Sequence, residues 1–431
     1  MELSIKNAPL VKWIVRLAPP LVSFALVVAL ATPKTVPLVP DSAQYLAMAA
    51  GRWSQVSAPF GYRVLVPYTA RLCAALLHTS LDRAFYSIAV IDLAIFLIAI
   101  SSLVQDTLIA AVSLPLLVAS PMGFALFQDY YLPDLTHATF LALLLVALRH
   151  KQLLIAALLL VVLMVVREST LMVAAVIILL AAWRKEFAWL WLTVGATTVG
   201  YSLSKVLVPV HLTNVHHMPA LEYLMFKVPF NAIRHLAGFA LVPNTLRGQP
   251  GYTCECRWVF HMPVFLGRIT EFGVCPFNVV YPAGTAVVMM SLFGVCPIVL
   301  IALVRSGCVK PRELWFEFAF MYGLTAFLIA PLLGAAIVRL GGYGWPAFWV
   351  VMPAIAAKAN WSRRQIGGLV IAQILACWIP ALVTGSFNLE MSEQFPFGTV
   401  LVALLACYMF AKYVSEPSKK LEVERCVSPS A

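Results

Sequence analysis

Charged side chains are scarce in this chain. Asp, Glu, Lys and Arg make up 11% of its 431 residues, against 62% hydrophobic ones, whereas a soluble domain carries about a quarter of charged residues. The mean hydropathy is +0.90. That excludes a soluble globular fold. Apolar runs this long must face lipid, and backbone groups in lipid must be satisfied within helices. Acidic residues are scarcer still, 19 against 30 Lys and Arg. The chain also lacks a CxxC pair with zinc spacing, a repeat of solenoid length and any stretch that reads as a separate soluble domain.

What is present reads as an all-α polytopic membrane protein of about twelve transmembrane helices. The apolar runs fall at about 13–31, 84–104, 107–127, 134–149, 152–166, 169–183, 188–207, 281–304, 314–335, 344–359, 366–384 and 396–413. Residues 1–413 form one transmembrane domain, and the polar end 414–431 reads as a disordered cytoplasmic tail. Runs 152–166 and 169–183 are short for a bilayer core of about 30 Å, which suggests a tilted or re-entrant pair.

Orientation follows from the short loops, whose Lys and Arg stay inside. With both termini inside, 17 of the 30 Lys and Arg reach the inner face, among them Arg149, Lys151, Arg184 and Lys185. The first span lacks a small-residue cleavage site and reads as a retained helix. Two long segments, about 32–83 and 208–280, then lie outside and hold most of the remaining bases, which points to an anionic neighbour or lipid headgroups. Each segment contains stretches that read as interfacial helices, at 41–50, 64–78 and 219–241. Cys254, Cys256 and Cys275 share the second segment. Cys254 and Cys256 are too close to pair with each other, so either can pair with Cys275 or all can remain thiols.

The polar residues that interrupt this apolar pattern cluster on the outer side. Asp41 opens the first outer helix, with Tyr45 one turn later. A carboxylate at the membrane boundary can serve as a general base, or it can simply cap the helix. Asp129, Tyr130 and Asp134 share the short turn between the third and fourth spans. Two carboxylates there can hold Mg or Mn, pair with Arg, or cap the fourth span. Arg167 and Glu168 break a long apolar stretch, where charge is costly and is usually functional or paired. Arg63 follows the first outer helix, and Arg339 precedes a glycine-rich turn carrying Tyr343. The guanidinium fork suits phosphate oxygens. Asp92, His137 and Lys205 are weaker candidates, readable as contacts between helices.

On these residues the chain resembles the GT-C superfamily of polytopic glycosyltransferases. The resemblance rests on Asp41 in the first outer loop, the interfacial helices after it, the acidic turn from Asp129 to Asp134, and outer arginines above an inside N-terminus. It covers the first half of the chain. Many members carry two adjacent acidic residues in that loop, where this chain has Asp41 and Ser42. The resemblance implies a sugar donor carried on a polyprenyl phosphate and an acceptor hydroxyl on a lipid, glycan or protein. Asp41 would be the base of an inverting displacement. Arg63, Arg167 and Arg339 would neutralise the departing phosphate, alone or with a divalent cation at Asp129 or Asp134. Tyr45, Tyr130, Glu168 and Tyr343 would complete the binding site. Membrane lipid is an expected partner and nucleic acid is not. The expected compartment is a bacterial inner membrane in preference to the endoplasmic reticulum, with the site extracytoplasmic. The competing readings are a secondary transporter of a small polar or anionic solute, with Asp92, His137 and Lys205 around a midplane site, and a polymerase or ligase of lipid-linked glycans.

Overall fold

The structure, a computed structural model, describes residues 9–31, 40–104, 113–115, 117–210, 212, 220–244, 247, 254–261, 270–305, 313–333, 337–358 and 363–375. These residues are mainly helical. The runs expected at 396–413, the start of 107–127, the end of 366–384 and the tail 414–431 lie outside them.

The first half follows the apolar runs closely. Helix α1 covers Pro9–Leu30, and helices α2 and α3 cover Pro40–Ala49 and Leu65–Leu76. Then come α4 (Leu81–Val104), α5 (Pro121–Gln128), α6 (Asp134–Arg149), α7 (Leu153–Val166), α8 (Thr170–Trp183), α9 (Phe187–Val206) and α10 (Ala220–Ala237). Two of the turns are built alike. After α6, Lys151 adopts φ 55° and the Gln152 N–H reaches back to the Ala147 carbonyl; after α8, Lys185 adopts φ 60° and the Glu186 N–H reaches Ala181. This is a Schellman closure, which satisfies the last helix carbonyls. Lysine near a helix C-terminus also offsets the dipole there.

These turns fix how α6 to α9 run. Helix α7 starts just past the end of α6, and its far end places Arg167 in a salt bridge with Asp134 at the start of α6. The two helices are therefore antiparallel and end at the same levels. The runs 152–166 and 169–183 form two helices of 14 residues each, about 21 Å long at the helical rise and so shorter than a bilayer core of about 30 Å.

The second half departs from the expected continuous spans. The run 281–304 divides into α11 (Val280–Leu292) and α12 (Cys296–Arg305). Gly294 takes φ 56° between them, a conformation that glycine adopts without strain. Helix α13 covers Leu314–Leu333, and α14 is a short helix at Ile337–Gly342. The run 344–359 begins as a π-helical turn, Pro346–Val351, and continues as α15, Met352–Lys358. That turn presses on α13: a Cβ on Gly323 would meet the Ala347 nitrogen at 2.5 Å. Helix α16 is Arg363–Gln373. In the run 107–127 the chain breaks at Ser120 before Pro121, the first residue of α5. A proline cannot donate to a preceding turn and disfavours helix just before it.

The fold is not purely helical. Residues of the second outer segment form a three-stranded antiparallel sheet in the order β1 (Leu241–Pro243), β3 (Glu271–Val274), β2 (Trp258–His261). A disulfide joins Cys254 to Cys275 beside it, and Cys256 is a free thiol. Strands of three and four residues are too short to show the alternation that marks a strand.

Among the described residues two helices, Leu81–Val104 and Leu314–Leu333, are long and apolar enough to cross a membrane. The buried core is aromatic where the halves meet. Phe96 of α4 packs edge-on against Trp345 at 5.0 Å, and Phe293 packs against Phe348 at 4.6 Å.

Candidate functional site

The site forms where five pieces of chain meet at one end of the bundle: the first turn of α2, the loop before α3, the start of α6, the α7–α8 turn, and α14. Asp41 lies within the first turn of α2, so it is not the preceding cap residue. Its Oδ2 accepts a hydrogen bond of 2.6 Å from Nη1 of Arg339, 298 residues away. Nη2 of Arg339 donates at 3.2 Å to Oδ2 of Asp134. Arg339 thus bridges the two carboxylates.

Asp134 is the most committed group of the ensemble. It is the first residue of α6 and makes no capping bond of the expected kind: the N-cap position is Pro133, without a side-chain cap. Its carboxylate instead pairs with Nη1 of Arg167 and accepts 2.7 Å from the Tyr343 hydroxyl, besides the bond from Arg339. The Arg167 guanidinium lies over the Tyr343 ring, 5.1 Å from its centroid. Both oxygens of Asp134 are therefore occupied, and its side chain is 7% exposed, whereas that of Asp41 is 26% exposed.

Beside this core stands a second pair. Nε of Arg63 donates at 2.8 Å to one oxygen of Glu168, and Nη2 pairs with the other, the bidentate fork that guanidinium and carboxylate form best. Nη1 of Arg63 donates at 2.7 Å to the hydroxyl of the buried Tyr45. Burial opposes the charge of Glu168, but Arg63 and then Arg167 outweigh it and hold its carboxyl down at about 2. Asp129 goes the other way. Burial pushes its carboxyl above the usual range, against a 2.6 Å hydrogen bond from the fully buried Ser42. Ser42, absent from the expected set, thus ties the first turn of α2 to the turn before α6.

Some expected residues do other work. Tyr130 points away from the ionic ensemble: its ring stacks with Tyr131 at 4.5 Å, and its hydroxyl donates to that of Tyr131, which donates to Asp82. Asp92 accepts a hydrogen bond from Thr136. His137 lies one turn below Asp134, contacting Thr170 and the edge of Tyr343. Lys205 sits 3.2 Å over the Tyr62 ring near the outer end of α9. The three groups expected around a midplane transport site have three separate sets of partners. Lys227 of α10, also absent from the expected set, is within electrostatic reach of Arg63, Asp41, Glu168 and Arg167; burial first, and the arginines, pull its ammonium below the usual lysine range.

The arrangement can hold negative charge. The guanidinium groups of Arg63 and Arg167 are buried and that of Arg339 is partly buried beside them, and Nε of Arg167 and Nε of Arg339 are enclosed without a hydrogen-bond partner among the described residues. Asp134 already carries two guanidinium partners, and among the described residues no three His, Cys, Asp or Glu side chains gather into a metal site. No protein-family model matches the chain, and a search of curated proteins finds no match.

Proposed function

We propose that this chain is a multi-pass membrane glycosyltransferase that moves a sugar from a polyprenyl-phosphate carrier to an acceptor hydroxyl on the extracytoplasmic face. The observation that carries the proposal is the convergence of Asp41, Arg339, Asp134 and Arg167 at one end of the bundle. Surface composition supports the membrane part. Leu154, Leu158, Leu179, Trp183, Trp191 and Val206 lie open on α7, α8 and α9, as side chains facing lipid do. The basic turns lie at the opposite end: Arg149 caps the Ser102 and Leu103 carbonyls, and Arg184 pairs with Glu186 and Glu317. That sorting agrees with the site facing outward and, in our reading, with about twelve spans in a bacterial inner membrane.

Each group then has one task. Asp41 Oδ1 takes no hydrogen bond from a described side chain and is the open carboxylate oxygen of the core. It accepts the acceptor's proton as the acceptor oxygen attacks the anomeric carbon. The bond from that carbon to the carrier phosphate breaks on the opposite face, so configuration inverts. The phosphate leaves with the bonding electrons, and Arg339 and Arg167 stabilise its charge in a site shielded from water, where fixed donors act strongly. A phosphate beside Arg339 also competes with Asp41 for the guanidinium. Donor binding thereby loosens the Arg339–Asp41 bond and frees the carboxylate for the acceptor hydroxyl.

The test is transfer of radiolabelled sugar from a polyprenyl-phosphate donor by protein in lipid nanodiscs. Asp41→Asn should reduce turnover by about 10²- to 10⁴-fold, the usual worth of a general base, in protein that still folds and inserts. Full turnover by a folded Asp41→Asn protein would defeat the reading.

A further inference from the structure

A second cationic cluster lies outside the site just described. It runs along the outer edge where α3 meets the end of α9. The Arg71 guanidinium rests against Gly51, beside Arg52: a Cβ on Gly51 would lie 3.6 Å from Nη1 of Arg71. One turn back on α3, the Tyr68 hydroxyl donates at 2.8 Å to the Leu207 carbonyl, which ties this helix to the end of α9. Two residues before Leu207, Lys205 projects its ammonium over Tyr62 at 3.2 Å and toward Tyr201 at 5.3 Å. Trp53 meets Tyr68 edge-on at 6.2 Å. Arg52, Arg71 and Lys205 are all exposed, and none forms an ion pair with a described residue. The arginines of the site and of the inner turns behave differently, for Arg63, Arg167, Arg339 and Arg184 each meet a carboxylate.

Directly beyond the cations the surface is apolar. Leu72 and Leu76 of α3 and Leu77 just after it stand 58%, 69% and 67% exposed. A cationic rim, aromatic rings at its height and bare leucines beside it match one chemistry: a phosphate headgroup above acyl chains. A free anion would use the cations and leave the leucines in water.

We propose that the α3–α9 edge binds the headgroup of an anionic phospholipid from the outer leaflet, with Arg52, Arg71 and Lys205 on its phosphate and Leu72, Leu76 and Leu77 against its chains. The proposal rests on the chain being membrane-embedded and not on sugar transfer.

The experiment is native mass spectrometry of the full chain taken from nanodiscs of phosphatidylcholine containing phosphatidylglycerol. The wild type should retain phosphatidylglycerol over phosphatidylcholine. Each cation removed should weaken retention about fivefold, so Arg52→Gln, Arg71→Gln and Lys205→Gln together should abolish the preference. Lys205→Arg should keep it. The three cations lie on the surface, so the melting temperature in pure phosphatidylcholine should not move. Equal retention of the two lipids by the wild type, or undiminished preference in the triple variant, would overturn the proposal. Displacement of phosphatidylglycerol by millimolar inorganic phosphate would overturn the lipid as the occupant. Failure to enter pure phosphatidylcholine discs at all would instead refute the membrane reading, and a protein that shows the lipid preference without sugar transfer would refute only the transferase.

Discussion

Burial and two arginines act against each other at Glu168, and the arginines prevail. Its carboxyl is held at about 2, below its ordinary 4.5. A depressed acid contributes stability above its unfolded value and loses it as pH falls through the folded one. The Arg63–Glu168 pair should therefore help in full above about pH 4.5 and fade as pH approaches 2. The effect is modest, because the Glu168 side chain is 40% exposed and water screens the pair. The measurement is melting against pH for the wild type and Glu168→Gln in nanodiscs. The wild type should melt higher at pH 6, with the gap closing below pH 4. A gap independent of pH would mean that the ion pair is not what Glu168 contributes. At this scale much of the site was legible. Charge is so costly in an apolar chain that Asp41, Asp134, Arg167, Glu168 and Arg339 stood out by existing. Their pairing was not legible, since Arg339 finds Asp41 across 298 positions. Ser42 was missed because a serine in the first turn of a helix carries no signal until Asp129 is seen opposite it.

Among the elements, α7 and α9 pack most intimately, through small residues. The buried face of α9 reads Thr193, Ala196, Gly200, Ser204, a spacing that lets two backbones approach. A Cβ on Gly200 would fall 2.6 Å from Cβ of Met164 and 2.9 Å from the Val161 carbonyl. Neither atom can move without moving α7, and Arg167 follows Met164 by three residues. Gly200→Ala should therefore cost about 1–3 kcal/mol of stability, the usual price of overpacking, and should also lower transfer activity by shifting Arg167 from Asp134. Gly195 lies on the same helix with nothing within 4 Å of an added Cβ. Gly195→Ala should be neutral or stabilise by about 0.5–1 kcal/mol through lower backbone entropy. Equal effects at both positions would mean that α7 and α9 do not pack this closely. The helices of this half were readable because long apolar runs ended at basic turns. The breaks in the second half were less so. Gly294 looks like a tolerated glycine inside the apolar run 281–304, and only its φ of 56° and the packing of Phe293 show why the helix stops there.

The molecule as a whole is polarised from end to end. At one end Arg149 and Arg184 bind carbonyls and carboxylates of α4, α9 and α13; at the other, Asp41, Arg339 and Arg167 assemble the site. Helix α6 connects the ends directly, from Asp134 to Arg149 over 16 residues, which is about 24 Å. The apolar surface between them belongs in lipid if the bundle spans a membrane, and the two ends then face different compartments. The Cys254–Cys275 bond fits an oxidising compartment on that side if segment 208–280 lies outside, as proposed. Single cysteines placed in a background without other reactive thiols test this. Arg83 and His150 are both exposed, at the start of α4 and just past the end of α6. In right-side-out vesicles, Arg83→Cys should react with an impermeant maleimide from outside. His150→Cys should react only after permeabilisation. The reverse pattern would put the site inside, where inner basic turns would face outward against the charge rule. Labelling of both from one side would mean that α4 and α6 do not cross the bilayer, and the outward-facing site and its lipid-borne donor would fall with that crossing.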